Sequence, residues 1–283
     1  MANESSELKI SEDMRSDSRT LRLASFDVGT DDLHWWAPEL LERYPEGFYE
    51  MHQQLFTETC EKSSPADLGG VPLDGVALIK FEPRKFHYPT PEELAALDGI
   101  MISGSASGAY DSDEWVIRLC EVIRDYHSQK IRLSGFSFAP QIVAQALGGK
   151  VEPNPPGSEL SVVTIHLTPA AQQYFGGDRT DYRIQVHHND GVTVLPPGAV
   201  SLGTSGVTEH LGWMLGGHIL VFSGHPEYSR DPWILERMML AERRDRLVPA
   251  QLIDFGLQAL WNPTDYIWQT QQQFRFFLGQ LCV

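Results

Sequence analysis

The sequence predicts an α/β protein built on a wound sheet. In the first half of its 283 residues, short apolar runs are followed by tight turns and then by helical periodicity, and this order recurs. The second half begins with shorter runs of alternating polarity, which indicate an antiparallel extension, and it closes with a helical tail. No repeat or linker divides the chain. We therefore expect a single domain over residues 21–283.

The strands are predicted from apolar runs of strand length that end at small or turn-forming residues. In the wound sheet they are residues 21–28, 76–81, 99–103, 131–133 and 220–223. In the antiparallel extension they are residues 161–167, 183–186, 192–195 and 199–202.

The helices are predicted from apolar spacing and from start and stop signals. They cover residues 45–57, 89–97, 115–127 and 142–147 and much of the chain after residue 231. Thr90 before Pro91 is a typical helix start, and Gly148 is a typical helix end. Residues 1–20 are polar and mixed in charge, which predicts a disordered leader.

Charge and composition exclude several classes of function. The chain has 38 acidic and 22 basic residues, a formal net charge of -16 and no basic patch, so we expect no nucleic-acid partner. No stretch approaches the roughly 20 apolar residues that a membrane span needs. The three cysteines fit neither a disulfide framework nor a zinc site, which indicates a reducing compartment. We expect a cytoplasmic protein that handles a small molecule, and the seven tryptophans leave a homodimer open.

The segment from Gly135 to Ala139 lies between a predicted strand and a predicted helix. Small residues two positions before and after Ser137 permit the strained turn that presents a nucleophile at the carboxyl edge of a sheet. The helix N-terminus then stabilises developing negative charge, which suits acyl transfer. The alternative is an ordinary turn in which Ser137 caps the helix.

The segment Ser223 to Tyr228 (SGHPEY) directly follows an apolar strand. His225 lies two residues before Glu227 in a turn containing Gly and Pro. This spacing predicts an imidazole base whose second nitrogen is oriented by a carboxylate. Alternatively, His225 is a hydrogen-bonded histidine without a catalytic role.

Four segments in this order resemble the class I glutamine amidotransferases, in particular their stand-alone GMP-synthase-like members. The segments are ISGSASGAYDSDEW, SGFSFAPQIVAQALGGKVEPNP, VHHNDGVTVLPPGA and FSGHPEY, and the tail NPTDYIWQTQQQFRFFL is also similar. The resemblance covers roughly residues 21 to 280 and implies a flavodoxin-like wound sheet. It is weakest over residues 31–75.

The resemblance also implies roles for individual residues. The catalytic triad would be Ser137, His225 and Glu227. The oxyanion hole would be formed by backbone N–H groups at Gly104, Ser105 and Phe138. Substrate-binding roles would fall to Gln141, His188 and Asp190. Neither a metal nor a cofactor is implied.

The chain departs from the family pattern at the elbow. Ser137, Ala139 and Pro140 stand where the family has Cys, Gly and His. Three changes around one turn favour natural divergence over an engineered Cys replacement. A hydroxyl must lose its proton as it attacks, whereas a thiol near His⁺ is readily deprotonated beforehand.

Several functions stay open on these grounds. The chain is a diverged hydrolase or acyl-transfer enzyme acting on a small amide or ester, with γ-glutamyl compounds as one class. Alternatively, it is a non-hydrolytic biosynthetic enzyme that uses His225 and Glu227 as acid and base, or an inactive pseudo-amidotransferase that binds a ligand. Ammonia production for a synthetase ranks last, because the sequence contains no synthetase domain and has no Cys at the elbow.

Three further features are interpreted without a catalytic role. Carboxylates at residues 111–114 are explained by the helix dipole rather than by a metal. His187, His188 and Asp190 are better explained as pocket-lining residues than as metal ligands. The aromatic, acidic stretch 34–49 either forms a lid over the site or packs on the core.

Overall fold

The computed structural model describes residues 18–281. Residues 1–17, most of the predicted leader, lie outside the described residues, as does Cys282. Arg19 and Thr20 were predicted to belong to the leader but form the start of the first strand. None of the helices within residues 18–281 is long and apolar enough to cross a membrane.

A seven-stranded sheet forms the centre of the fold. The strands of the chain are β1 Arg19–Phe26, β2 Leu73–Phe81, β3 Gly99–Ile102, β4 Leu133–Phe136, β5 Lys150–Pro153, β6 Glu159–Leu167, β7 Asp181–His188, β8 Asp190–Val194, β9 Val200–Ser201, β10 Gly203–Thr204, β11 Gly212–Leu215 and β12 Ile219–Phe222. The central order is β2-β1-β3-β4-β12-β11-β9, with parallel pairing from β2 to β12. The parallel part has the flavodoxin-like order, so the predicted wound sheet is confirmed.

The antiparallel extension is also confirmed. Strands β11 and β9 continue the central sheet in antiparallel orientation, while β10-β6-β7 and β5-β8 form two smaller sheets. Of the strand predicted at 199–202, only Val200–Ser201 is a strand, β9, and the next strand, β10, pairs in a different sheet. Strand β11, the hairpin partner of β12, was not predicted, although its sequence GWML is apolar, because it is only four residues long.

The helices cover both faces of the central sheet. They are α1 Thr30–Trp36, α2 Glu39–Arg43, α3 Phe48–Lys62, α4 Pro91–Ala95, α5 Glu114–Ser128, α6 Phe138–Ala146, α7 Pro169–Phe175, α8 Pro226–Arg230, α9 Pro232–Asp245, α10 Ala250–Ala259 and α11 Tyr266–Phe277. Thr90 caps α4 in a capping box with Glu93, as the start signal predicted. Helices α1, α2, α7 and α8 were missed because five to seven residues make fewer than two turns, too few for an apolar spacing to recur.

Two apolar layers hold this arrangement together. Side chains of α5 and α6 pack on one face of the sheet, and those of α3 and α11 pack on the other. Helix α11 also supports the ends of two neighbouring strands. Its buried Gln273 donates to Ser134 Oγ in β4 at 2.8 Å, and Gln269 donates to the Gly224 carbonyl after β12 at 3.4 Å. The segments that follow β4 and β12 are thereby fixed beside each other.

Candidate active site

Ser137 lies at a strained turn between β4 and α6. Its backbone has φ 55° and ψ −93°, a left-handed conformation that is rare for a non-glycine residue. A Cβ added at Gly135 would lie 2.3 Å from the Ile102 carbonyl oxygen and 2.6 Å from Ala139 Cβ, so the turn needs glycine there. The Ser137 hydroxyl makes no capping hydrogen bond to α6, and the helix-cap alternative is therefore wrong. The geometry is that of a nucleophile elbow.

His225 and Glu227 form a buried pair at the end of the adjacent strand β12. His225 Nδ1 lies 2.7 Å from Glu227 Oε1, and both side chains are almost completely buried. The His225 backbone N–H donates to the Gln185 carbonyl at 2.7 Å, and the ring of Tyr228 stacks on the imidazole with centroids 3.9 Å apart. These contacts fix the plane of the imidazole.

Burial and mutual attraction determine the charge state of this pair. Burial lowers the pKa of His225 below 6.5, although Glu227 opposes the shift. Burial alone would raise the pKa of Glu227, but the nearby imidazoles of His225 and His52 lower it to about 2. At neutral pH the pair is therefore a carboxylate that accepts the Nδ1 proton of a neutral imidazole. The other nitrogen, Nε2, is then an acceptor, as a general base requires.

Ser137 and His225 approach each other at Gly104, just after β3. A Cβ added at Gly104 would lie 3.4 Å from His225 Cε1 and 3.7 Å from Ser137 Oγ, so glycine leaves the space between them open. Ser137 and His225 form no hydrogen bond, and His225 Nε2 has no partner among the described residues. Catalytic hydrogen bonds are often long before substrate binds, so this gap is compatible with a nucleophile and its base.

The loop that follows β3 is fixed by an ion pair that sequence reasoning missed. Asp32 Oδ2 accepts the Ala106 N–H at 2.9 Å and pairs with Arg84 Nη2 at 2.8 Å. The same Arg84 nitrogen donates to Ser105 Oγ at 2.9 Å and to Ser107 Oγ at 3.1 Å. Asp32 lies in α1 and Arg84 follows β2, so no local pattern links them to this loop. The pair holds the backbone of the predicted oxyanion loop in place.

The predicted oxyanion donors lie close to Ser137. Gly104 and Ser105 line the same cleft as Ser137. Phe138 is the first residue of α6, where backbone N–H groups have no intrahelical acceptor and carry the positive end of the helix dipole. The buried side chain of Phe138 packs in the core, so only its backbone is placed for this role.

The cleft measures about 340 Å³ and contains most of the predicted site residues. Ser137, His225, Gln141, His188 and Asp190 all line it, whereas Glu227 lies behind His225. Gln141 Nε2 donates to the Asp190 carbonyl at 3.2 Å. The side chain of Asp190 accepts the Tyr110 hydroxyl at 2.9 Å. The three predicted substrate-binding side chains therefore occupy a common wall.

A hydrogen-bond chain determines the tautomer of His188. Thr208 donates its only hydroxyl proton to Glu159 Oε2 at 2.8 Å, so its oxygen must accept from His188 Nε2 at 3.0 Å. In neutral His188 the other ring nitrogen, Nδ1, is thus an unprotonated acceptor. Nδ1 has no partner among the described residues.

The stretch 34–49 contributes to the cleft as well as to the core. Trp35 and Trp36 of α1 line the cleft, and Trp35 is 60% exposed. Tyr44 is buried and donates to Asp231, so this part of the stretch packs on the body of the protein. Phe48 does both, since it is buried and also lines the cleft.

His187 lines the cleft, as its interpretation as a pocket-lining residue implied, whereas Glu242 was not predicted for the site. Glu242 on α9 lines the cleft beside His187, whose Nε2 lies 3.1 Å from Glu242 Oε1. His187 was singled out in the sequence only by its neighbours, and nothing in the helical pattern distinguishes Glu242. Within residues 18–281, no group of three or more His, Cys, Asp or Glu side chains is placed to hold a metal ion.

The chain has sequence relatives among gamma-glutamyl peptidases and glutamine amidotransferase-like proteins. No protein-family profile matches the chain. Gamma-glutamyl peptidase 4 of Arabidopsis thaliana is 32% identical over 148 residues, which is 51% of this chain and 59% of that protein. Gamma-glutamyl peptidase 3 of the same plant is 27% identical over 69% of this chain and 76% of its own length. A glutamine amidotransferase-like protein of Schizosaccharomyces pombe is 29% identical over 63% of this chain and 71% of its own length.

Solved structures show the same fold. A glutamine amidotransferase of Methylobacillus flagellatus superposes with a TM-score of 0.57 at 16% identity, over 93% of each chain. A glutamine amidotransferase of Thermotoga maritima gives a TM-score of 0.55 at 15% identity, over 92% of this chain and 97% of its own. The fold is that of the class I glutamine amidotransferases, and the homologues are gamma-glutamyl peptidases and amidotransferase-like proteins.

Proposed function

We propose that this protein hydrolyses or transfers the acyl group of a small-molecule amide, using Ser137 as the nucleophile. The observation that carries the proposal is the strained elbow at Ser137, which faces the same cleft as a neutral His225 oriented by Glu227. A left-handed serine without a capping role stores strain that a simple strand-to-helix turn does not need.

The proposed reaction has two stages. In the first, His225 Nε2 takes the hydroxyl proton as Ser137 Oγ attacks the carbonyl carbon of the substrate. The resulting oxyanion accepts hydrogen bonds from the backbone N–H of Phe138 and from that of Gly104 or Ser105. His225 then gives the proton to the leaving amine as the amide C–N bond breaks. In the second stage, water or an acceptor amine attacks the acyl-enzyme and restores Ser137. Glu227 stays ionised and stabilises the imidazolium in both stages.

We propose γ-glutamyl compounds as the substrate class. The first two relatives described above are named gamma-glutamyl peptidases. Its volume of about 340 Å³ suits a small molecule. Gln141, His188 and Asp190 would bind the acyl part, because they share the wall next to the elbow helix.

We also propose that Ser137 stands in place of the family's cysteine. Oxygen is smaller than sulfur, and a site arranged for a thiolate leaves a serine hydroxyl short of its base. The unpartnered His225 Nε2 fits this interpretation. Turnover is then slower than in a cysteine enzyme with the same fold.

The same gap favours a second candidate function. If Ser137 never reaches His225, the protein either binds its ligand without hydrolysis or uses His225 and Glu227 as acid and base in a non-hydrolytic step. The cleft would then be kept for binding and the elbow would be a remnant.

Labelling with a serine-directed fluorophosphonate tests the proposal. We expect the wild-type protein to be labelled at Ser137, and the His225→Ala variant to resist labelling because it lacks the base.

Kinetic comparison of Ser137→Ala with His225→Ala separates the candidate functions. A hydrolase loses activity in both variants, a non-hydrolytic enzyme loses it only in His225→Ala, and a binding protein keeps its ligand affinity in Ser137→Ala. The absence of labelling at every pH contradicts the hydrolase.

A further inference from the structure

One wall of the cleft is not used by the proposed reaction. It consists of Trp36, His187 and Glu242, which we call the outer wall. The rings of Trp36 and His187 stack with centroids 5.2 Å apart, and His187 Nε2 lies 3.1 Å from Glu242 Oε1. Three separate elements, α1, β7 and α9, supply these residues. The cluster is therefore a product of the tertiary fold.

Glu242 has an unsatisfied oxygen. The side chain is 4% exposed, and Oε2 has no hydrogen-bond partner among residues 18–281. A buried carboxylate with one free oxygen is costly unless a donor reaches it. Because Glu242 lines the cleft, a bound group can supply that donor.

The chemistry of the cleft favours a cationic donor. The described residues lining it include the carboxylates of Asp32, Asp190 and Glu242 and neither Lys nor Arg. Asp32 is paired with Arg84 and Asp190 accepts from Tyr110, and of these three carboxylates it is Glu242 that has a buried oxygen without a partner among the described residues. Trp36 lines the same cleft, where its ring stacks on those of His187 and Trp35, and aromatic rings attract an ammonium ion.

The outer wall lies on the leaving-group side of the cleft. His225 must protonate the departing amine, so that part of the substrate lies beside His225. Tyr228, whose ring stacks on His225, lines the cleft together with His187 and Glu242. Gln141 and Asp190, on the side of α6 and β8, face the acyl part instead.

We propose that the outer wall is a subsite for a protonated primary amine carried by the leaving group. Glu242 Oε2 accepts a hydrogen bond from the ammonium, His187 holds the other carboxylate oxygen, and Trp36 covers the charge. The substrates would accordingly be γ-glutamyl derivatives of diamines or of basic amino acids. This inference rests on the proposed function for the position of the scissile bond.

Matched γ-glutamyl dipeptides test the subsite by binding rather than by turnover. The Ser137→Ala protein is titrated calorimetrically with pairs that differ only in a terminal ammonium or methyl group. The pairs contain diaminobutyrate and norvaline, ornithine and norleucine, and lysine and aminoheptanoate as the second residue. We expect the ammonium member of at least one pair to bind about tenfold more tightly. Both members of a pair share the same glutamyl group, so its own amine does not contribute to the difference.

Variants on helix α9 assign the preference to Glu242. In the Ser137→Ala background, Glu242→Gln keeps an oxygen for His187 but removes the charge, so the preference should disappear. Glu236→Gln on the same helix, where Glu236 pairs with Arg237, should retain it. Trp36→Leu should reduce the preference for the ammonium member of each pair. Thermal unfolding of each variant shows whether the fold is intact.

The outcomes are independent of the proposed chemistry. A charge preference that depends on Glu242 supports the subsite even if the wild-type protein cleaves none of the dipeptides. A folded Glu242→Gln protein that keeps the preference overturns it, as does a parent that binds the members of every pair equally or binds none of them.

Discussion

His52 Nε2 lies 3.8 Å from Glu227 Oε1, and both side chains are fully buried. Neither ring nitrogen of His52 has a hydrogen-bond partner among the described residues, and the ring packs against Phe48 and Phe136. His52 contributes to the low pKa of Glu227. It therefore stands behind the His225 and Glu227 pair as a positioning residue.

Replacing His52 is expected to weaken the proposed base without altering the cleft. In His52→Leu the pKa of Glu227 should rise, and the carboxylate loses the buried neighbour 3.8 Å away that helps to fix its position. His225 is then oriented less firmly, so kcat should fall about tenfold with KM little changed. His52→Gln should restore part of the rate, and His166→Gln on the exposed face of β6 is the control. Steady-state kinetics with a γ-glutamyl amide measure the effect. An equal loss in His52→Gln and His52→Leu would indicate a packing role only.

Ser137→Cys is expected to increase acyl transfer. A thiol beside an imidazole and a helix N-terminus is deprotonated more readily, and its larger atom shortens the gap to His225 Nε2. We expect kcat/KM to rise by about tenfold or more and iodoacetamide to inactivate the variant. Cys60 and Cys120 provide the background alkylation in wild type. A cysteine variant that is slower than the serine protein would show that the site has adapted to serine.

Glu227→Gln is expected to lose most activity while the protein stays folded. Glutamine can stabilise the wrong tautomer of His225 and carries no charge to balance the imidazolium, so kcat should fall about 10³-fold or more. Because Glu227 raises the pKa of His225, its removal should also shift the acid limb of the pH profile to lower pH. The pH dependence of kcat/KM measures both effects. An unchanged acid limb would mean that His225 is not the titrating base.

Gly104→Ala is expected to leave the fold intact and block the site. The added Cβ would make only ordinary contacts of 3.4 to 3.7 Å with His225 and Ser137, but it fills the space where the reacting carbon must lie. Activity should fall about 10²-fold, whereas the melting temperature should hardly change. Gly75→Ala in β2, where an added Cβ meets nothing within 4 Å, is the control. Normal activity in Gly104→Ala would place the reacting carbon elsewhere.

Stability is expected to fall as the solution is acidified from pH 6.5. Burial lowers the pKa of His225, His127, His210 and His218 below 6.5, so each binds its proton more readily in the unfolded chain. Their contribution is fully present above pH 6.5 and is lost as the pH falls toward the folded pKa values. Thermal melts between pH 7.5 and about 5 test this. His218→Gln should make the melting temperature change less with pH. A melting temperature that rises on acidification would contradict the prediction.

The sequence was informative wherever function and local pattern coincide. Gly135 and Ala139 flank Ser137 at a spacing that only one kind of turn needs, and His225 and Glu227 are close in sequence as well as in space. Long apolar strands and periodic helices were equally predictable. His52, Arg84 and Glu242 were not, because they reach the site through tertiary packing from three distant elements. Their roles depend on burial and partners, which no local pattern encodes.

Gln269 and Gln273 lie one turn apart on α11 and tie strand β4 to the segment after β12. Helix α11 follows every other described element in the chain, so both loops of the site are synthesised before the helix that supports them. A nascent chain that ends before Tyr266 lacks the support that sets Ser137 beside His225. The proposed activity should therefore depend on α11, and a variant truncated before Tyr266 should lack it.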